Sequence, residues 1–407
     1  MAKINENFRK LAGEYLFMEV MKRTSDFSKA NPSVKIYKLS IGDTTEPLTT
    51  TVIAGLHKAV DKLSKPETYT GYGEIPGDPR LREALAKRYE KWGITINPDE
   101  VFISDGAKPD LANIQSIFSQ DSIVCVQDPV YPVYVDSNVM AGRTGKYANG
   151  RYNGVIYMSC TESNNFIPDV PKQAVDLLYL CSPNNPTGAV ATKEQLKKFV
   201  DYAIKHNAVI FFDAAYAAYI RESSLPKSIY EVDGAKSCAI EISSFSKEAG
   251  FTGVRLGWTV IPKELVTEGT EEGEVWGLWK RRQSSSYNGA PIISQDGGLA
   301  VLSDEGQKEC KKVIEYYMQN AKIIKEGLAE LGLKAYGGEN APYIWMKTPN
   351  NMSSWAFFDK LLTEAHVVGT PGVGFGPSGE KFFRLTAYGH RENVEQAMKS
   401  MKNNLRL

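Results

Sequence analysis

The chain has 407 residues, in which 48 lysines and arginines balance 48 aspartates and glutamates and 42% of positions are apolar. That length can bury a large core in more than one lobe, and the balanced charge argues against a nucleic-acid or membrane-surface partner. Five scattered cysteines without a CxxC pair read as reduced thiols, and four dispersed histidines give no metal motif, so no metal is expected. No charged-then-apolar leader opens the sequence and no apolar run could span a bilayer, so a cytoplasmic location is expected.

In chain order, residues 69–77 (YTGYGEIPG) have loop composition, and Asp78-Pro79 then starts a helix through residues 81–89, with Asp as cap and Pro at the first helical position. A β-rich run at 101–104 passes through Asp105-Gly106-Ala107-Lys108 into a helix. Backbone N–H groups at such a junction can receive a phosphate. Further strands are predicted at 123–126, 177–180, 209–212, 239–243 and 258–261, and Thr192 with Gln195 forms a capping box for the helix that follows. Alternating helices and strands predict an α/β fold with a mostly parallel sheet flanked by helices. From about residue 297 the pattern changes to a long amphipathic stretch at 305–331, strands at 343–346 and 382–385, and helices at 355–366 and 393–405, which predicts a smaller α+β domain.

The polar residues that carry chemistry sit where the apolar runs stop. The run 175–180 ends in Cys181-Ser182-Pro183-Asn184-Asn185-Pro186-Thr187-Gly188, the next ends in Asp213 with Tyr216 close behind, and a third ends in Ser244-Phe245-Ser246-Lys247, followed by Arg255. Each has a bland reading: a turn, a helix cap, a surface lysine. Open α/β sheets, however, bind ligands beyond the carboxyl ends of their strands, and the ordered set points to one crevice. A lysine amine there can bind an aldehyde cofactor as a Schiff base, with Ser244, Ser246 and Arg255 on its phosphate, which is the chemistry of pyridoxal 5'-phosphate. Asp213 then pairs with the pyridine nitrogen, and Asn185 and Tyr216 donate to the ring's phenolate oxygen.

The order Asn185-Pro186-Thr187-Gly188, Asp213 with Tyr216, Ser244 to Lys247, Arg255 and Phe383-Arg384-Leu385 resembles the fold-type I, class I/II aminotransferases over essentially the whole chain. The resemblance implies that Arg384 holds the substrate α-carboxylate and that Tyr131 stacks on the pyridine ring. It also implies that the backbone at Ala107 and Lys108 contacts the phosphate. Lys108 departs from the broader pattern, which more often has a small or neutral residue there. By the same resemblance, Tyr72 and Asn288 reach a neighbouring subunit's cofactor, making a homodimer with shared sites. The implied domains are 1–48 as an N-terminal arm joined to the small domain, 49–296 as the large cofactor domain and 297–407 as the small domain.

Asn7-Phe8 through Tyr15-Leu16-Phe17, the run Ile41-Gly42-Asp43-Thr44-Thr45, Tyr72-Gly73-Glu74, Gly106-Ala107-Lys108 and Ser243 to Lys247 together narrow the resemblance to the LL-diaminopimelate aminotransferase branch. That branch implies amino transfer between LL-2,6-diaminopimelate and 2-oxoglutarate, giving tetrahydrodipicolinate and glutamate in lysine biosynthesis. Implied substrate contacts are Tyr15, Gly42, Lys108, Tyr131, Asn185, Asn288 and Arg384, with Glu74 reading the distal ammonium. Two alternatives stay open at this point: an aspartate, aromatic or broad-specificity aminotransferase, and a ligand-sensing relative without turnover.

Overall fold

The computed structural model describes residues 1–13, 15–40 and 42–407. Ile41 of the 41–45 run lies outside the described residues. Seven strands build the principal sheet: β1 (Val101–Ser104), β2 (Val124–Asp128), β3 (Val155–Ser159), β4 (Leu177–Cys181), β5 (Val209–Asp213), β6 (Ala239–Ser244) and β7 (Gly257–Val260). Their spatial order is β1-β7-β6-β5-β4-β2-β3. Pairs from β3 through β6 are parallel, whereas β7 runs antiparallel to both β6 and β1. The sheet is therefore mixed. The short connection that carries Lys247 turns the chain directly back on itself instead of crossing over.

Period-two alternation divides each central strand between two cores. Leu178, Leu180, Ile210 and Phe212 pack on one side with the helices Pro79–Glu90 and Lys193–His206, while Leu177, Tyr179, Val209 and Phe211 pack on the other with Leu111, Tyr134 and Trp279. Both helix starts use the residues expected of them. Asp78 accepts the N–H of Arg80 at 2.9 Å, and Thr192 and Gln195 exchange backbone-to-side-chain bonds at 2.9 and 3.2 Å. Such caps are worth about 1 kcal/mol each.

A second, four-stranded antiparallel sheet comprises β8 (Ala335–Gly337), β9 (Tyr343–Lys347), β10 (Thr370–Pro371) and β11 (Phe382–Thr386), in the order β8-β9-β11-β10. Trp345 of β9 is buried and stacks on Phe382 at 5.3 Å. The helices Asp304–Glu330, Ser354–Ala365 and Arg391–Asn404 close over this sheet. Leu16, Val20 and Leu39 from the start of the chain are buried in the same apolar cluster, and Tyr37–Lys38 pairs in parallel with Val367–Val368. No helix among the described residues is long and apolar enough to cross a membrane.

Candidate active site

Strand register sets the site. Cys181, Asp213 and Ile242 are neighbours across β4, β5 and β6, and Ser244, Gly257 and Ser104 are neighbours across β6, β7 and β1. Of these, Cys181, Asp213 and Ser244 border one cavity of about 530 Å³, closed from the opposite side by Tyr343 and Arg384 of the second sheet. Tyr15, Gly42, Ala107, Lys108, Tyr131, Asn185, Asp213, Tyr216, Ser244, Ser246, Lys247, Arg255 and Arg384 all border it.

Asp213 is 5% exposed. Tyr134 Oη donates to its Oδ2 at 2.5 Å and the Ala215 N–H to its Oδ1 at 3.0 Å. Burial pushes the carboxyl pKa up and these two donors oppose it. What results is an enclosed acid, held by two donors and suited to a cationic N–H partner. No extended helix follows it, only the short turn Ala217–Tyr219, so the capping role leaves little for this carboxylate to cap.

Lys247 lies in the single-turn helix Phe245–Glu248, which is capped by Ser244. Its Nζ donates to the Gly42 carbonyl and lies 5.6 Å from the Tyr388 ring centre, while Tyr219 Oη donates to its backbone carbonyl at 3.0 Å. Burial lowers the ammonium pKa to about 8; Asp43 opposes this, and Arg384 and Arg255 reinforce it. The amine therefore gives up its proton far more readily than a free lysine does, as a nucleophile or base requires.

Beside it, Ser244, Ser246 and Arg255 converge as donors suited to an oxyanion. Arg255 has a left-handed backbone (φ +68°), and its Nη1 donates to Thr252 O at 2.9 Å. Gly106 sits at φ +133°, where a side chain is strained, and a Cβ there would lie 2.4 Å from Arg255 Nη2 and displace the guanidinium. Glycine lets the turn after β1 adopt this backbone and leaves the guanidinium in place.

Arg384 is 1% exposed. Its Nη1 donates to Asn185 Oδ1 at 2.6 Å and Nη2 to Ser40 O at 2.6 Å, while Nε has no partner among the described residues. The guanidinium carbon lies 4.6 Å from the Tyr343 ring centre and 4.8 Å from that of Phe375. A buried guanidinium without a carboxylate is costly on its own, which suits a site completed by an anionic ligand. On the cavity's other flank, Lys108 Nζ donates to Tyr15 Oη at 3.3 Å and lies 4.8 and 5.9 Å from the ring centres of Tyr15 and Tyr131.

Tyr72, Glu74 and Asn288 do not border this cavity. Tyr72 is 88% exposed, and Glu74 and Asn288 are also exposed. The two segments are adjacent, because a Cβ on Gly289 would lie 3.3 Å from Glu74 O. Sequence reasoning missed Tyr134 and also Tyr343, whose hydroxyl is 2.6 Å from that of Tyr216. Tyr134 stands three residues after Tyr131 at the start of a helix, a spacing that could have flagged it. Tyr343 gave no local signal. No group of three or more potential metal ligands occurs among the described residues.

The family model for class I and II aminotransferases matches residues 34–401. Among solved structures, the chain is similar to L,L-diaminopimelate aminotransferase from Chlamydomonas reinhardtii, with 46% identity over 98% of both chains and a TM-score of 0.94. It is also similar to substrate-bound BacF from Bacillus subtilis (27% identity, 99% of this chain and 98% of that one, TM-score 0.84). An aromatic aminotransferase from Pyrococcus horikoshii matches at 25% identity over 93% of this chain and 97% of that one, with a TM-score of 0.78.

Proposed function

The chain belongs to the class I and II aminotransferases, and from that membership we propose that it transfers an amino group between LL-2,6-diaminopimelate and 2-oxoglutarate, giving tetrahydrodipicolinate and glutamate. Enzymes of this family use pyridoxal 5'-phosphate, and the cavity fits that group. It offers an amine of lowered pKa, an enclosed carboxylate, and a serine-arginine cradle from which Gly106 excludes a side chain. Lys247 would hold the aldehyde, Asp213 the pyridine nitrogen, Asn185 and Tyr216 the ring oxygen, Tyr131 the ring face, and Ser244, Ser246, Arg255 and the Ala107–Lys108 backbone the phosphate. When bound, the cofactor supplies an electron sink for charge developing on the substrate α-carbon.

The observation that carries the reading is Arg384, a buried guanidinium with an unspent Nε in the same cavity as the Lys247 amine. It binds the amino-acid carboxylate and fixes the α-carbon, and Lys247, neutral above about pH 8, removes the α-proton at Nζ. The likeness at 46% identity to an L,L-diaminopimelate aminotransferase favours that donor. Exposed Tyr72, Glu74 and Asn288 support a homodimer in which a second copy completes the site, with Glu74 reading the distal ammonium. We also propose the division into an arm (1–48), a large domain (49–296) and a small domain (297–407), supported by the separate apolar clusters. The test is glutamate formation from 2-oxoglutarate with LL-diaminopimelate, meso-diaminopimelate, aspartate and tyrosine as donors. LL-diaminopimelate should lead aspartate and tyrosine by at least ~100-fold in kcat/KM. Comparable rates with aspartate or tyrosine overturn the assignment.

A further inference from the structure

A second cavity, of about 820 Å³, lies between the end of the helix Pro79–Glu90, the segment 218–227 and the start of the helix Asp304–Glu330. Its volume falls in the range of small-molecule sites. Seven cationic side chains line it against two carboxylates, in a chain whose total charge is balanced.

The carboxylates are already committed. Arg88 Nη1 donates to Glu248 at 2.7 Å, with both side chains largely buried, and Arg221 pairs with Glu315. Lys308 has Glu305 at 3.5 Å. The ammonium groups of Lys87, Lys91, Lys227 and Lys311 have no hydrogen-bond or ion-pair partner among the described residues. Lys227 is partly buried, and its pKa is lowered first by burial, with Arg88 among the further causes. Crowding cations in a concave surface is unfavourable unless an anion joins them.

We propose that this cavity binds a small anion carrying two or three linked phosphate groups. The two arginines, whose planar forks match carboxylates, already hold protein carboxylates, and the four free cations are all lysines, point charges that suit phosphate oxygens. Ile220, Leu302 and Trp92 add apolar wall for an organic body, so inorganic triphosphate and a nucleoside triphosphate share the required chemistry.

The test is isothermal titration of the cofactor-loaded enzyme with inorganic triphosphate, ATP and citrate, without magnesium. Triphosphate should bind at one site per chain, tighter than citrate, and the Lys227→Gln/Lys311→Gln double variant should weaken it at least ~10-fold. The exposed pair Lys322→Gln/Lys399→Gln, elsewhere on the surface, should leave it unchanged. A gain for ATP over triphosphate assigns a nucleotide, and equal affinity assigns the phosphate chain alone. Absence of binding, citrate binding tighter than triphosphate, or equal weakening by both double variants overturns the proposal. Unchanged melting temperatures verify that the variants are folded.

Discussion

Tyr134 Oη donates to Asp213 Oδ2 at 2.5 Å inside the principal sheet's core, so the site's acid is oriented by a phenol from the helix that begins at Val133. Tyr134→Phe leaves Asp213 only the Ala215 N–H and moves its pKa further up, because the lost bond opposed burial. We expect kcat to fall about tenfold with a stability loss near 1 kcal/mol. Steady-state kinetics with thermal denaturation check this; full turnover would make the contact merely structural.

Arg384→Lys removes the planar fork that spans Asn185 and Ser40. A lysine cannot satisfy both acceptors and a carboxylate together. kcat/KM should fall about 100-fold for every amino-acid donor alike. A loss confined to one donor would contradict the assignment to the shared α-carboxylate.

Gly106→Ala places a Cβ 2.4 Å from Arg255 Nη2 at φ +133°. The guanidinium must shift, and the strained backbone costs about 1–3 kcal/mol. Fluorescence titration of the cofactor-free protein should show pyridoxal phosphate binding weakened about tenfold, and pyridoxal binding little changed. Equal losses for both ligands would place the defect outside the phosphate cradle.

Lys247 has its pKa lowered from 10.5 to about 8 in the folded protein. Between those values the unfolded chain binds more protons, so stability of the cofactor-free enzyme rises with pH through that window and the full penalty applies below about pH 8. Lys247→Met removes it: the cofactor-free variant should be more stable at pH 7 by up to ~3 kcal/mol, converge with the parent above pH ~10.5, and have no transaminase activity. Denaturant unfolding at pH 7 and above pH ~10.5 measures both limits. Parallel stability-pH curves would refute the lowered pKa.

Glu74 is exposed, with its carboxylate 4.0 Å from Arg82. Glu74→Gln should lower kcat/KM for LL-diaminopimelate about tenfold or more while leaving glutamate nearly unaffected, since only the former has a distal ammonium. Competition between the two donors reads this directly. Equal effects would remove Glu74 from specificity.

Much of the fold was legible because its signals are local. Apolar runs ending in Cys181, Asp213 and Ser244 marked β4, β5 and β6, and Asp78-Pro79 and Thr192 with Gln195 marked helix starts through bonds to residues two or three positions away. β3 was not among the strands expected from sequence, although Val155 and Met158 are buried and Asn153-Gly154 marks a turn immediately before it. The reversed direction of β7 was also not readable, since composition alone does not orient a strand.

Thus the sequence alone determined which side chains stand at the strand ends, and with them an amine, an acid and a guanidinium available for one reaction. Only the tertiary structure decided who supports them. Arg384 meets Ser40 and Asn185 from 344 and 199 residues away, Asp213 meets Tyr134 from 79, and Tyr343 meets Tyr216 from 127. Propensity and periodicity act over a few residues, whereas these contacts arise from packing helices, loops and the second sheet against the principal one, which buries groups, shifts their pKa values and selects their partners.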